Sequence, residues 1–248
     1  MRSNRRFVQC VLIFGCALCV LIPSGVAQQN KPTHLDLARV LVRELRPEDT
    51  SYQHKQGYIT WKGENGAEGY QSHVDCSGLL NVLLERAYGI TPNDFEKWLG
   101  KRRPLASEYF NAITQQQNFR SITSIGNVRP GDIMAIRYPP GTNENTGHIM
   151  IVNDVPSRRN PTKPEIEGTA QWEVSVIDSS ESGHGKTDTR RKPDSSFGDG
   201  VGQGILRIYT SANNEIVGYT WSTFAVSDYY DQNTRQLVIG RIQLPLKL

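Results

Sequence analysis

The stretch Ser72-His73-Val74-Asp75-Cys76-Ser77-Gly78-Leu79-Leu80 decides how the rest of the chain is read. Beyond Cys76, apolar residues recur at Leu79, Leu80, Leu83, Leu84 and Ala87, and Gly89 stands where a helix of that length would stop. Asp75 suits the N-cap, so the spacing predicts a core helix with the cysteine in its first turn. A helix start has free N–H groups and the positive end of the backbone dipole. Both favour thiolate over thiol, and both can stabilise a developing oxyanion. The same position also suits an inert buried cysteine, since free Cys packs as a small hydrophobe. The residues downstream discriminate between the two.

The first 27 residues read as a secretory leader: Arg2, Arg5 and Arg6, then an apolar run from Phe7 to Ile22, then small residues at Ser24-Gly25-Val26-Ala27. The run is shorter than the ~20 residues of a membrane span, so export without lasting membrane insertion is expected, to the periplasm or the outside. Removing the leader removes three arginines and no acid, which takes the formal charge from +3 to zero. The bulk charge therefore offers no support for a nucleic-acid partner. Cys10, Cys16 and Cys19 leave with the leader, so Cys76 is the one thiol of the expected mature chain, 28–248, with no disulfide partner. In an oxidising compartment such a thiol is either deeply buried or used.

His34 to Arg46 has the apolar spacing of an amphipathic helix. From residue 121 the period shortens to two. Strands are expected at Ile133 to Tyr138, His148 to Val152, Trp172 to Ile177, Gly204 to Tyr209, Ile216 to Trp221 and Leu237 to Ile242, with a hairpin turn at Asn213-Asn214. Helices followed by antiparallel strands predict one α+β domain. Pro156 to Thr169 and Glu181 to Gly202 read as long polar surface loops, with Arg158-Arg159 and Arg190-Arg191-Lys192 as solvated charge.

Two further residues complete a chemistry. His148 opens an apolar strand directly after Gly147, well positioned to take a thiol proton and return it to a leaving amine. Period-two alternation puts Val174, Val176 and Asp178 on one strand face, and Asp178 at the strand end can orient an imidazole; a turn-forming Asp before Ser179-Ser180 is the alternative. Metal hydrolysis finds no H-E-x-x-H or clustered ligand spacing, and no P-loop or dinucleotide fingerprint occurs, so neither a metal nor an organic cofactor is expected.

Together these fragments resemble the NlpC/P60 family of cysteine peptidases, within the papain-like group that includes CHAP domains. Asp75-Cys76-Ser77-Gly78-Leu79 is similar to the family's nucleophile motif. Pro130-Gly131-Asp132-Ile133 resembles its turn into the next strand, and Gly147-His148-Ile149 its base. Val176-Ile177-Asp178-Ser179-Ser180 falls where the family has its third polar residue, and Tyr58-Ile59-Thr60-Trp61 resembles the segment whose tyrosine helps form the oxyanion site. The resemblance covers roughly residues 58–180, leaving the strands of 204–248 as additions. It departs from the pattern at Trp61-Lys62-Gly63, in the Tyr58-to-Cys76 spacing, and in having Asp at the third position.

The resemblance implies a papain-like fold in which the nucleophile's helix packs on an antiparallel sheet. It implies Cys76, His148 and Asp178 as the triad, with Tyr58, Asp75 and Ser77 bordering the oxyanion and substrate site. The implied activity is cleavage of amide bonds in cell-wall stem peptides. An amidase or acyltransferase on another substrate, and a non-catalytic binding domain of the same fold, are the competing readings. His73, close to Cys76 in sequence, is a rival polar partner for the thiol.

Overall fold

The computed structural model describes residues 32–141 and 145–248, so the expected leader, 1–27, lies outside the described residues. Helix α1 (His34–Glu44) starts at a reciprocal cap, with Thr33 Oγ1 accepting from the Asp36 amide and the Asp36 carboxylate accepting from the Thr33 amide. It ends two residues before the expected Arg46, because Pro47 disfavours helical backbone at the residue before it, and Arg46 is extended. A 3-10 turn (Pro47–Asp49) follows. Helix α2 (Cys76–Tyr88) starts at Asp75 and ends at Gly89 in the left-handed region, φ 71°. Leu79, Leu80, Leu83 and Leu84 are fully buried, so α2 is a core helix.

Two further helices follow the expected pair, before the main sheet begins. Helix α3 (Pro92–Leu99) has strong local signals in the Thr91–Asp94 capping box, Pro92 in its first turn and Gly100 at its end. Helix α4 (Ala106–Thr114) has no side-chain cap of that kind at Leu105.

The short strands β1 (Thr50–Ser51), β2 (Tyr58–Thr60) and β3 (Gln71–His73) form a small sheet in the order β1-β3-β2. The main sheet is built from β4 (Phe119–Ser121), β5 (Ile133–Arg137), β6 (Gly147–Val152), β7 (Ser157–Arg158), β8 (Ala170–Ser180), β9 (Gly200–Thr210), β10 (Ile216–Thr220), β11 (Tyr229–Asp231) and β12 (Gln236–Ile242). Its order is β11-β10-β9-β8-β6-β5-β12-β4 with β7 added to β8, and every pairing is antiparallel. The α+β class and the six expected strands are found, with β8 and β9 each extended to 11 residues.

Alternation along the strands divides the interior in two. Ile133, Ala135, Ile149, Ile151 and Ile177 pack with the helices. Met134, Ile136, Met150, Val152, Val174 and Val176 face a second core. That second face is closed by the sheet itself: after β4 the chain bridges to the start of β10, with Ile125 N to Asn214 O at 3.0 Å and Ile216 N to Thr123 O at 3.1 Å. Both faces of β6 are thus dry, which explains its continuously apolar sequence.

The two polar insertions are not free surface loops. In 156–169, β7 pairs with β8, and the fully buried Arg207 donates to the carbonyls of Thr162 and Lys163. In 181–202, His184, Asp188 and Arg190 are buried, so the reading of Arg190 as solvated charge is corrected. The cause lies in β9: a Cβ on Gly202 would meet the Arg190 side chain at 2.5 Å, and one on Gly204 would run into the Asp188 carboxylate. The alternating glycines let the 181–199 strap lie directly on the sheet.

Candidate functional site

Cys76, 5% exposed, occupies the first turn of α2. Asp75 Oδ1 accepts from the Gly78 amide at 2.6 Å and from the Ser77 hydroxyl at 3.0 Å, while Oδ2 pairs with Arg103 at 2.7 Å. Arg103 thereby offsets a carboxylate that would otherwise oppose a thiolate next to it. A side chain at Gly78 would press on Asp75 Oδ1 at 3.0 Å and on Arg103 at 3.1 Å. The motif Asp75-Cys76-Ser77-Gly78 is therefore a cap that fixes where the thiol sits. Asp75 and Ser77 border the cleft, but their side chains are engaged in this cap.

Gly147 has φ 151°, and a Cβ there would collide with the Ile136 carbonyl, which is why a glycine precedes the histidine. His148 is 6% exposed and its Nε2 lies 2.6 Å from Asp178 Oδ2. With Nε2 engaged, Nδ1 is the ring nitrogen left for the neighbouring Cys76. Burial opposes charge on this ring, but the neighbouring Cys76 and the Asp178 hydrogen bond outweigh it and push the imidazole up to about 10.

Asp178, at the end of β8, is 1% exposed. Burial would raise its carboxyl, yet Arg190 and His184, together with the imidazole hydrogen bonds, hold it well below the usual carboxylate range. Arg190 Nη1 lies 2.9 Å from Asp178 Oδ1, and Arg190 Nη2 lies 2.8 Å from Asp188 Oδ2. His184 Nε2 lies 2.8 Å from Asp178 Oδ2, and its Nδ1 lies 3.0 Å from the Trp221 carbonyl. The Trp221 ring stands edge-on to His148 at 5.4 Å and stacks on His184 at 5.9 Å, covering the hydrogen-bonded groups.

The structure brings Cys76, His148 and Asp178 together as expected and does not bring Tyr58. Tyr58 pairs with His73 across β2 and β3, is 48% exposed, and packs its ring on His73 at 5.1 Å. Tyr52, in the link between β1 and β2, instead lines the cavity beside Cys76 and interacts with it. Its phenol is shifted upward by burial and then by the neighbouring Cys76, Asp75 and Glu181. His73 is occupied by the Ser51 hydroxyl at 2.7 Å and is not the thiol's partner. Sequence reading missed Tyr52, His184, Arg190 and Trp221; for His184 and Arg190 the usable signal was the Gly200-Val201-Gly202-Gln203-Gly204 pattern.

A cavity of about 620 Å³ opens beside Cys76, lined by Tyr52, Lys55, Arg103, Ala106, Gly147 and Glu181 among others. A smaller one of about 280 Å³, lined by Tyr138, His148, His184 and Trp221, shares Tyr52, Asn145 and Glu181 with it. A groove thus runs over the thiol and the imidazole, charged on one side and aromatic on the other.

His148, Asp178 and His184 also have the composition of a metal site, with ligand atoms within 4.8 Å of one another. Their geometry fits hydrogen bonding instead. Both imidazoles contact one carboxylate oxygen at 2.6 and 2.8 Å, closer than the ~3.3 Å that separates two ligands of a tetrahedral zinc, and Arg190 holds a cation against the other oxygen.

An uncharacterized protein of Acanthamoeba polyphaga mimivirus is 35% identical over 224 residues, spanning 86% of this chain and 98% of the relative. No family model matches the chain. No solved structure matches it.

Proposed function

The chain belongs to one family with that mimivirus protein, and from the geometry of its site we propose that it is a cysteine hydrolase that cleaves amide bonds by acyl transfer. One observation carries the reading: a buried thiol at a helix start lies next to an imidazole, close enough to favour its charged form, and that imidazole's Nε2 lies 2.6 Å from a buried carboxylate. In this reading Cys76 Sγ attacks the amide carbonyl, and the tetrahedral oxyanion is met by the first-turn N–H groups of α2 and by the Tyr52 hydroxyl. His148 gives its proton to the leaving amine as the C–N bond breaks. It then takes a proton from water, which attacks the thioester and releases the acid and the free thiol. Asp178 holds His148 in register throughout.

The arrangement of the nucleophile helix against an antiparallel sheet agrees with the NlpC/P60 resemblance, and so does the order of the three motifs. On that resemblance the proposed substrate class is peptide amides of cell-wall stem peptides, met after export. No helix among the described residues is long and apolar enough to cross a membrane. The test is mass spectrometry of purified cell-wall peptides, and of a panel of simple peptide amides, after incubation with the protein and with its Cys76→Ala variant. New fragments that require Cys76 support the reading, and their masses name the bond. A folded protein that yields no fragment from either set overturns it.

A further inference from the structure

We infer that the 181–199 strap belongs to the catalytic apparatus, with His184 and Arg190 acting as positioning residues that fix the orientation and charge of Asp178 so that it can align His148. The inference rests on the acyl-transfer reading of Cys76 and His148 and extends it to residues outside the resemblance.

A carboxylate held through one oxygen can swing about its Cβ–Cγ bond; Asp178 is clamped through both. Oδ2 lies against His148 and His184 at 2.6 and 2.8 Å, and Oδ1 against Arg190 at 2.9 Å. Each clamp is itself anchored. The Arg190 guanidinium is forked on Asp188 through Nε at 2.9 Å and Nη2 at 2.8 Å, and its Nη1 donates to the Gly200 carbonyl at 3.1 Å. Asp188 in turn accepts the backbone amides of His184 and Arg190, and His184 Nδ1 is tied to the Trp221 carbonyl. The cluster spans β8, the strap, β9 and the residue after β10, so its geometry is set by elements far apart in sequence.

Charge points the same way. A carboxyl buried to this degree favours its neutral form, and a neutral acid would lose the negative charge that supports the His148 imidazolium. Arg190 and His184 keep it ionised. Stability alone is a poor reason for such a cluster, because buried ion networks gain little over well-packed apolar side chains. Admitting it also costs strand β9 two side chains, at Gly202 and Gly204.

The charged and titratable groups around the His148 ring are Cys76 from α2, Asp178 from β8, Tyr138 after β5, Tyr52 from the β1–β2 link, and Glu181, His184, Asp188 and Arg190 from the strap.

The experiment uses the full chain with Arg190→Gln, Arg190→Lys and His184→Gln, reading the His148 ring by histidine-selective NMR titration and turnover by kinetics on a cleaved peptide amide. The His148 midpoint is expected to fall by about one unit in Arg190→Gln and in His184→Gln. The same variants should lose about tenfold in kcat with KM nearly unchanged, and Arg190→Lys should recover part of both. Folded His184→Gln and Arg190→Lys proteins in which His148 titrates as in the native chain overturn the inference, even if Arg190→Gln does not fold. The NMR arm needs no substrate. A shifted midpoint in a protein that cleaves nothing therefore contradicts the hydrolase reading alone, whereas intact turnover with an unshifted midpoint contradicts this one alone.

Discussion

His148 meets Asp178 through Nε2 at 2.6 Å, which leaves Nδ1 as the nitrogen available to Cys76. This fixes which ring proton travels to the leaving group and which stays on the carboxylate side. Asp178→Asn replaces an anion by an amide and leaves Arg190 and His184 without their shared partner. Turnover should fall by about 10²-fold or more, less than on loss of Cys76, and stability by about 3 kcal/mol, because the buried Arg190 guanidinium keeps Asp188 but loses the second carboxylate of its cluster. Kinetics and thermal unfolding of the variant check both, and unchanged stability would contradict the clamp geometry.

The raised His148 imidazole, at about 10, makes a prediction for pH. The acid form is the one that protonates the leaving amine, so kcat/KM should hold up to about pH 10 and fall as the ring loses its proton above that. In Asp178→Asn the carboxylate no longer favours the imidazolium, so the alkaline limb should move to lower pH. A pH–rate profile of both proteins reads the shift and its sign; a limb that stays fixed would separate Asp178 from the base.

Tyr52 and Tyr58 make a matched pair of tests. Tyr52→Phe removes the hydroxyl beside Cys76 and should cost about 10²–10³ in kcat if that hydroxyl meets the oxyanion. Tyr58→Phe, on an exposed ring packed against His73, should leave kcat unaltered. The opposite pattern would restore Tyr58 to the oxyanion site.

Away from the cleft, Asp132 is fully buried in the turn before β5 and receives Arg241 through Nε at 2.7 Å and Nη2 at 2.9 Å. It thereby ties that turn to β12. Asp132→Ala should cost about 3 kcal/mol, since Arg241 loses its bidentate partner. Denaturant unfolding measures the loss, and a change below about 0.5 kcal/mol would mean that the pair contributes nothing net.

What could be read from the sequence follows the range of the forces involved. Asp75 as cap, Gly89 as stop and the two-residue period through Val174, Val176 and Asp178 are local effects, and each is found where its local pattern puts it. Cys76, His148 and Asp178 were nameable because a cap, a glycine and a strand face each left a mark within a few residues. Tyr52 escaped because its approach to Cys76 depends on the path of the link between β1 and β2, which no periodicity encodes. Arg190 was misread because an Arg-Arg-Lys run between turns has the composition of solvated charge. Only its partners Asp178 and Asp188, and the bare backbone of Gly202, make it a buried residue.

The central claim is that Cys76 carries the acyl group of an amide substrate. The most direct measurement is intact-protein mass spectrometry of acid-quenched reactions with a cleaved peptide, followed by peptide mapping. The account predicts a transient adduct on Cys76 equal to the acyl portion of the substrate, absent in Cys76→Ala and slow to form in His148→Ala. Product released by the Cys76→Ala protein at the native rate would contradict it.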